Sequence, residues 1–377
     1  FAIVHIAVFD AMNAIMGRYK SYSGLPRARL FTSIDAAIAQ SAHDTLVALY
    51  PSQTPIFDDR LEEDLAQIRN GLMKLRGIDL GHRAARAILE LRETDGANHS
   101  EPIIGVDYIP GTQPGDWRQD PVGMSPLALG AYWSEVDPFV IESADQFQIP
   151  VPPALDSQEY ADAFNEAKSV GGDGVATATT RTTDQTMAGI FWAYDGTPGL
   201  GTPPRLYNQI AVKIARKQGS NAMELARLLA LVNVAMADAG SAVWESKYAY
   251  NYWRPIHGIR EADEGTGPTG MGDGNPNTTG DAAFTPLGAP ASNTTGPNFT
   301  PPFPACPSGH AGFGGALFQV LRRFYGTNDI TFNIVSVEFN GVTMDNEGNV
   351  RPRSPRRFLS LSQAEEENGQ SRVYLGI

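Results

Sequence analysis

Lys247 and Arg254 bracket the segment Lys247-Tyr248-Ala249-Tyr250-Asn251-Tyr252-Trp253-Arg254-Pro255. Seven helical steps of about 100° fall roughly 20° short of two turns. The spacing therefore predicts both cations on one helix face, with Trp244 one turn before Lys247. Most such pairs form a solvated basic face. Here Tyr248, Tyr250, Tyr252 and Trp253 surround the pair and predict a half-buried setting, where cations need an anionic partner. A second segment, Phe303-Pro304-Ala305-Cys306-Pro307-Ser308-Gly309-His310-Ala311, reads as a helix N-terminus. Ser308 suits an N-cap, Gly309 lets a ligand approach the backbone, and the free N–H groups of a first turn bind oxyanions. His310 then sits where an acid–base group would face the anion, although a capped helix with an incidental His explains this segment alone equally well. Cys306 reads as a small packed residue, because no base is placed for it. A third segment, Ser371-Arg372-Val373-Tyr374-Leu375-Gly376, adds another cation.

The elements that must position these residues are mostly helical. Val4, Val8, Met12 and Ile15 recur at helical spacing, as do Ala37, Ile38, Ala42, Leu46 and Leu49 before Pro51. A third helix is predicted from Asp79 to Thr94. These helices carry His5, His43 and His82, which are read as packed or solvated. Asn221 with Glu224 predicts a capping box opening a long helix. Its stripe of Leu225, Leu228, Leu229, Val232, Met236 and Ala239 can continue through Lys247 to Trp253, with Pro255 as its stop. Another helix is predicted from Ser308 to Gly326, burying Phe313, Ala316, Leu317, Val320, Leu321 and Phe324. A last helix opens near Ser362 and runs through Arg372. A short strand is predicted over 331–337. The expected fold class is all-α: helical bundles with long ordered loops.

Two loop-rich stretches interrupt this pattern. Residues 97–157 carry Trp117, Trp133 and Phe139 among Pro and Gly, and aromatics this frequent predict an ordered wall. Residues 265–304 hold eight Pro and eight Gly, with only Asp273 and Asp281 charged. A loop this long inside a compact domain is usually functional or disordered. Acceptor-like triplets at Asn277, Asn293 and Asn298 fall in this Thr- and Asn-rich stretch, where chance explains them. No internal repeat is visible. The expected division is residues 1–150, an N-terminal helical region with the loop-rich wall, and residues 151–377, a catalytic helical-bundle region.

Composition limits the partners. The chain has 377 residues and a formal net charge of −13. So acidic a chain is a poor global partner for nucleic acid or an anionic membrane, and any bound anion needs a local cationic cluster. One cysteine excludes an intrachain disulfide framework and a multi-Cys metal site. No run of about 18 apolar residues is read, so no membrane-spanning helix is expected. The start at Phe1 and the stop at Ile377 read as cut ends, with no signal segment visible.

Taken in order, the three segments resemble the vanadium-dependent haloperoxidase and type 2 phosphatidic acid phosphatase superfamily. Its signature is Lys-x6-Arg-Pro, then Pro-Ser-Gly-His, then Ser-Arg-x3-Gly-x-His. The first two are complete here, and the third stops one residue short of its His. The likeness extends from Phe191-Trp192-Ala193-Tyr194-Asp195-Gly196, through Gly201-Thr202-Pro203-Pro204-Arg205, to the end. It is strongest toward the vanadium chloroperoxidase branch.

The resemblance implies vanadate as cofactor, with phosphate as a competing or surrogate anion. Lys247, Arg254 and Arg372 would neutralise its oxygens, while Ser308 and the Gly309 N–H would hydrogen-bond them. His310 would be the acid–base residue, and Asp195 would steady the site Arg and His. Lys247 would also make bound hydrogen peroxide a better electrophile. Trp244, Phe303, Pro301 and Pro302 would wall a halide pocket. The His that bonds vanadium would be the residue after Ile377, so the chain as written is expected to bind vanadate weakly. The implied reaction oxidises chloride or bromide with hydrogen peroxide to hypohalous acid, which halogenates small organic acceptors. The alternative is an acid phosphatase using the same oxyanion site. An extracytoplasmic or secreted location is expected, and a homo-oligomer is allowed for.

Overall fold

The structure is a computed structural model that describes residues 1–147 and 149–377. The chain forms two compact units, residues 1–97 with 211–235, and residues 98–210 with 236–377. The expected division falls at residue 150, whereas these units part after residue 97. Two helices, Pro203–Lys217 and Ala222–Tyr250, each give one part to either unit.

The first unit is built on α1 (Ala2–Met16), α2 (Ile34–Leu49), α3 (Thr54–Ala66) and α4 (Leu72–Arg92). Ser33 caps α2 by accepting from the Ala36 N–H, and the helix stops before Pro51 as expected. The third predicted helix begins earlier than Asp79, because α4 starts after Gly71. Gly77 and Gly81 had diluted its periodicity, and they are what lets it pack. A Cβ on Gly77 would lie 2.5 Å from the Ser33 carbonyl oxygen, and one on Gly81 would lie 2.5 Å from Gln40 Cβ. Small residues continue the seam in Ala11, Ala14, Ala37 and Ala84 around Leu80. His43 lies between Asp44 and Asp58, at 2.9 and 2.8 Å, in an ion-paired cluster on these helices.

The second unit contains α5 (Gln158–Gly171), α6 (Thr183–Phe191), most of the loops, its own parts of the two shared helices, and all the helices after them. Pro203–Lys217 is α7 and Ala222–Tyr250 is α8; then follow α9 (Pro255–Arg260), α10 (Gly309–Tyr325) and α11 (Leu361–Leu375). Two short strands, β1 (Phe332–Val335) and β2 (Pro355–Phe358), pair antiparallel with Phe332 opposite Phe358. Their rings meet at 5.2 Å and join Phe191 and Trp192 in one aromatic cluster. The fold is therefore helical with a single small sheet among the described residues, as the sequence predicts.

The capping signals place the helices well. Asn221 and Glu224 exchange side-chain-to-backbone hydrogen bonds of 3.1 and 2.9 Å at the start of α8. Ser308 caps α10, and Gly326 ends it in the left-handed conformation. The fully buried face of α10 includes Leu317, Phe318 and Leu321, whereas Phe313, Ala316, Val320 and Phe324 are only half-buried. The cap of α11 is Ser360, two residues before the predicted Ser362, and Gly376 closes the helix. By length and composition alone α8 is long and apolar enough to cross a bilayer. Yet 61% of its apolar window is packed inside the protein, as in a core helix.

The wall at 97–157 is held by specific contacts. Trp117 is fully buried, while Trp133 and Phe139 are half-buried. The Asp238 carboxylate accepts from the N–H groups of Phe139, Val140 and Ile141. The second loop, 265–304, contains no helix or strand among the described residues. The amides of Asn277, Asn293 and Asn298 are spent on internal hydrogen bonds.

Candidate active site

Trp244 and Lys247 project from the last turns of α8. The helix does not reach Trp253, because it ends at Tyr250 and Asn251 takes a left-handed φ of 48°. Asn tolerates that conformation better than most residues. Its carbonyl is held by the Trp117 N–H and its side chain by the Tyr108 hydroxyl. Arg254 then lies in extended backbone as the N-cap of α9. The shared helical face predicted for Lys247 and Arg254 is thus wrong. A turn brings the two cations to one cavity instead.

That cavity, of about 460 Å3, is lined by Lys247, Arg254, Arg372, Asp195, Ser308, Gly309 and His310. Every site residue expected from sequence reaches it, including Trp244, Pro301, Pro302 and Phe303. Tyr194, Leu129, Trp133, Phe299 and Phe313 line it too and were not anticipated. Leu129 and Trp133 come from an aperiodic loop that gives no registration signal. Phe313 follows His310 by one turn of α10 and could have been inferred from that spacing.

The loop before α10 grips the cations by its carbonyls. Lys247 Nζ donates to the carbonyls of Pro304 and Ala305 at 2.7 and 3.0 Å. Arg254 Nε donates to the Phe303 carbonyl at 2.9 Å, while its buried Nη2 has no hydrogen-bond partner. Burial, followed by repulsion from Arg254, pushes the Lys247 ammonium well below its usual pKa. Burial also lowers Arg254 to about 10, against the pull of Asp195.

Asp195 faces the other side. Arg372 Nη1 donates to its Oδ2 at 3.3 Å, and His310 Nε2 lies 4.0 Å from its Oδ1. Burial raises the Asp195 pKa, and Arg372 and Arg254 oppose that rise. His310 Nε2 is 2.7 Å from the Ala193 carbonyl and 3.1 Å from that of Trp192. Carbonyls only accept, so Nε2 carries the proton and Nδ1 of the neutral ring keeps a lone pair. Burial, then the charge of Arg372, holds His310 well below the ordinary imidazole range.

The remaining wall is apolar. The Trp244 and Phe303 rings meet at 4.9 Å, and Trp244 and Phe313 at 5.8 Å. The indole is fixed by its N–H, which donates to the Leu129 carbonyl at 3.0 Å. Gly309 must be small here, since an added Cβ would lie 3.0 Å from the Trp244 ring. Cys306 is half-buried with its thiol pKa raised by burial, consistent with a packed residue.

Three buried cations thus share a cavity with one carboxylate, and one guanidinium nitrogen is unpaired. A tetrahedral oxyanion would supply the missing acceptors, so the residues present fit vanadate. The fold is that of the vanadium-dependent haloperoxidases. It superposes on the crystal structure described as the first bacterial vanadium-dependent iodoperoxidase with a TM-score of 0.74, at 23% identity, over 100% of this chain and 83% of that one. The holo-type bacterial vanadium-dependent chloroperoxidase matches with a TM-score of 0.66 and 16% identity, over 100% of this chain and 84% of that one. More particularly, residues 227–377 match the family model described as the VCPO second helical-bundle domain. The chain is 41% identical to vanadium chloroperoxidase from Curvularia inaequalis over 264 residues, which is 60% of this chain. It spans 41% of that relative's length.

Proposed function

We propose that the cavity holds vanadate and uses hydrogen peroxide to oxidise chloride or bromide to hypohalous acid. The observation that carries this reading is the partnerless Arg254 Nη2 beside Lys247, Arg372 and the Ser308–Gly309 helix start. When bound, vanadate would supply Lewis-acid activation of peroxide without a change of oxidation state. Lys247, Arg254 and Arg372 neutralise the anion's oxygens, and the Ser308 hydroxyl and Gly309 N–H hydrogen-bond them. Ile377 lines the same cavity.

His310 handles the proton. Nε2 keeps its proton and donates it in a hydrogen bond to the Ala193 carbonyl, so Nδ1 is the atom that takes up a proton and returns it. Asp195 steadies Arg372 and offsets part of the cationic charge. Trp244, Phe303, Pro301 and Pro302 exclude water from the halide's approach, which strengthens the electrostatic pull of Lys247. The same apolar wall favours a halide over a phosphate monoester, with inorganic phosphate acting as a competing anion.

Equilibrium dialysis of the full-length protein against orthovanadate tests the anion site. One site per chain is expected, displaced by orthophosphate and weakened by Arg254→Ala. Binding that ignores both would contradict the assignment.

A further inference from the structure

His310 and Arg372 stand on different helices, α10 and α11, yet the anion must meet both. We propose that Asn368 is a positioning residue that keeps these two halves of the cradle in register. This inference rests on the anion-site reading above and deepens it.

Asn368 is fully buried on α11, one turn before Arg372. Its Nδ2–H donates to the His310 carbonyl at 2.8 Å. Its Oδ1 accepts from the Tyr207 hydroxyl at 2.9 Å, and that hydroxyl is also 3.1 Å from the His310 carbonyl oxygen. A phenol offers one proton and a carbonyl offers none, so only this orientation of the amide satisfies all three groups. Tyr207 is fully buried as well, so no water competes for the proton.

The link continues to the other half. Ser371 Oγ–H donates to the Asn368 carbonyl at 2.6 Å and accepts from Arg372 Nε at 3.1 Å. Arg372 Nη2 then reaches the Gly189 carbonyl at 3.1 Å, and Nη1 reaches Asp195. One side chain therefore fastens the backbone of His310 and sits on the turn whose hydrogen bonds aim Arg372. The approach is built in on the facing helix. A Cβ on Gly314 would lie 2.2 Å from Asn368 Nδ2, so only glycine leaves room for the amide to cross to α10.

The test measures orthophosphate affinity by titration calorimetry together with the melting temperature, in the full-length protein and in Asn368→Asp, Asn368→Ala and Tyr207→Phe. Losing a partner that orients the residues of such a site typically weakens binding about tenfold to hundredfold. That loss is expected in both Asn368 variants among molecules that remain folded. Tyr207→Phe preserves the core volume and the Nδ2 bond, so a smaller loss is expected, along with a changed nitrogen resonance of the His310 ring. Should either Asn368 variant fail to fold, the folded Tyr207→Phe protein carries the test through that resonance and its affinity. Wild-type binding with unchanged affinity and unchanged His310 signals in the folded variants, even at a lower melting temperature, would make Asn368 a packing residue and overturn the inference alone. No orthophosphate binding by the wild-type protein would instead defeat the anion-site reading, and this inference with it.

Discussion

The Lys247 ammonium lies 4.9 Å from the centre of the Phe303 ring, and the Arg254 guanidinium lies 4.9 Å from the same centre. One aromatic ring thus serves two buried cations that line the same cavity. A cation over a desolvated ring gains about 2 kcal/mol, so Phe303 stabilises the charges while it keeps water out.

Replacing Phe303 with His should lower chloride oxidation far more than bromide oxidation. Chloride is harder to oxidise and more tightly hydrated, and an imidazole would admit water and a titrating charge beside Lys247. Both halide rates and the melting temperature should be measured on the same protein. A parallel loss of both rates with stability would reduce Phe303 to a packed loop aromatic.

Arg254 and His310 should separate binding from turnover. Arg254→Ala removes a charge-assisted partner of a buried anion, at a cost of about 2–5 kcal/mol in vanadate affinity. His310→Ala should leave affinity closer to wild type and slow turnover on the order of 10²–10⁴-fold. If turnover survives the His310 change, the acid–base assignment is wrong.

Buried histidines predict an acid limb in the stability profile. Burial, and then Arg118, lowers the His257 pKa to about 4. A folded value below the unfolded one means that the unfolded chain takes up the proton first as pH falls. Stability is therefore full above about 6.5 and is lost progressively toward about 4, by at most about 3 kcal/mol for this group. His257→Asn, which can still donate to the Gln119 carbonyl, should flatten that limb in chemical denaturation at pH 7 and pH 5. An unchanged slope would show that His257 titrates normally.

Glu338 should act with the opposite sign. It is fully buried, bonded to Ser292 and Arg351, and its burial raises the carboxyl to about 7. Its contribution is present below about 4.5 and is lost as pH rises through about 7. Glu338→Gln should therefore remove a fall in stability between pH 5 and pH 8. Parallel profiles for the two proteins would contradict the raised value.

The sequence made the site legible where local chemistry fixes local structure. Ser308 as a cap, Gly326 as a stop and the Asn221–Glu224 box depend on neighbours a few residues away, and each appears as read. The end of α8 was not legible. Asn251 leaves the helix because Trp117 and Tyr108, more than 130 positions away, hold it there. The helices α3, α5, α6 and α7 were missed as well. In α6 only nine residues carry the pattern, and α7 opens on Pro203-Pro204, which reads first as a loop. The roles of Tyr207 and Asn368 were invisible because they exist only once α10 and α11 are packed together.

The central claim is tested most directly by halide oxidation in the full-length protein after vanadate has been stripped. Peroxide-dependent oxidation of bromide or chloride should appear only when orthovanadate is returned, and excess orthophosphate should suppress it. Equal oxidation with and without orthovanadate would contradict a vanadate-dependent haloperoxidase.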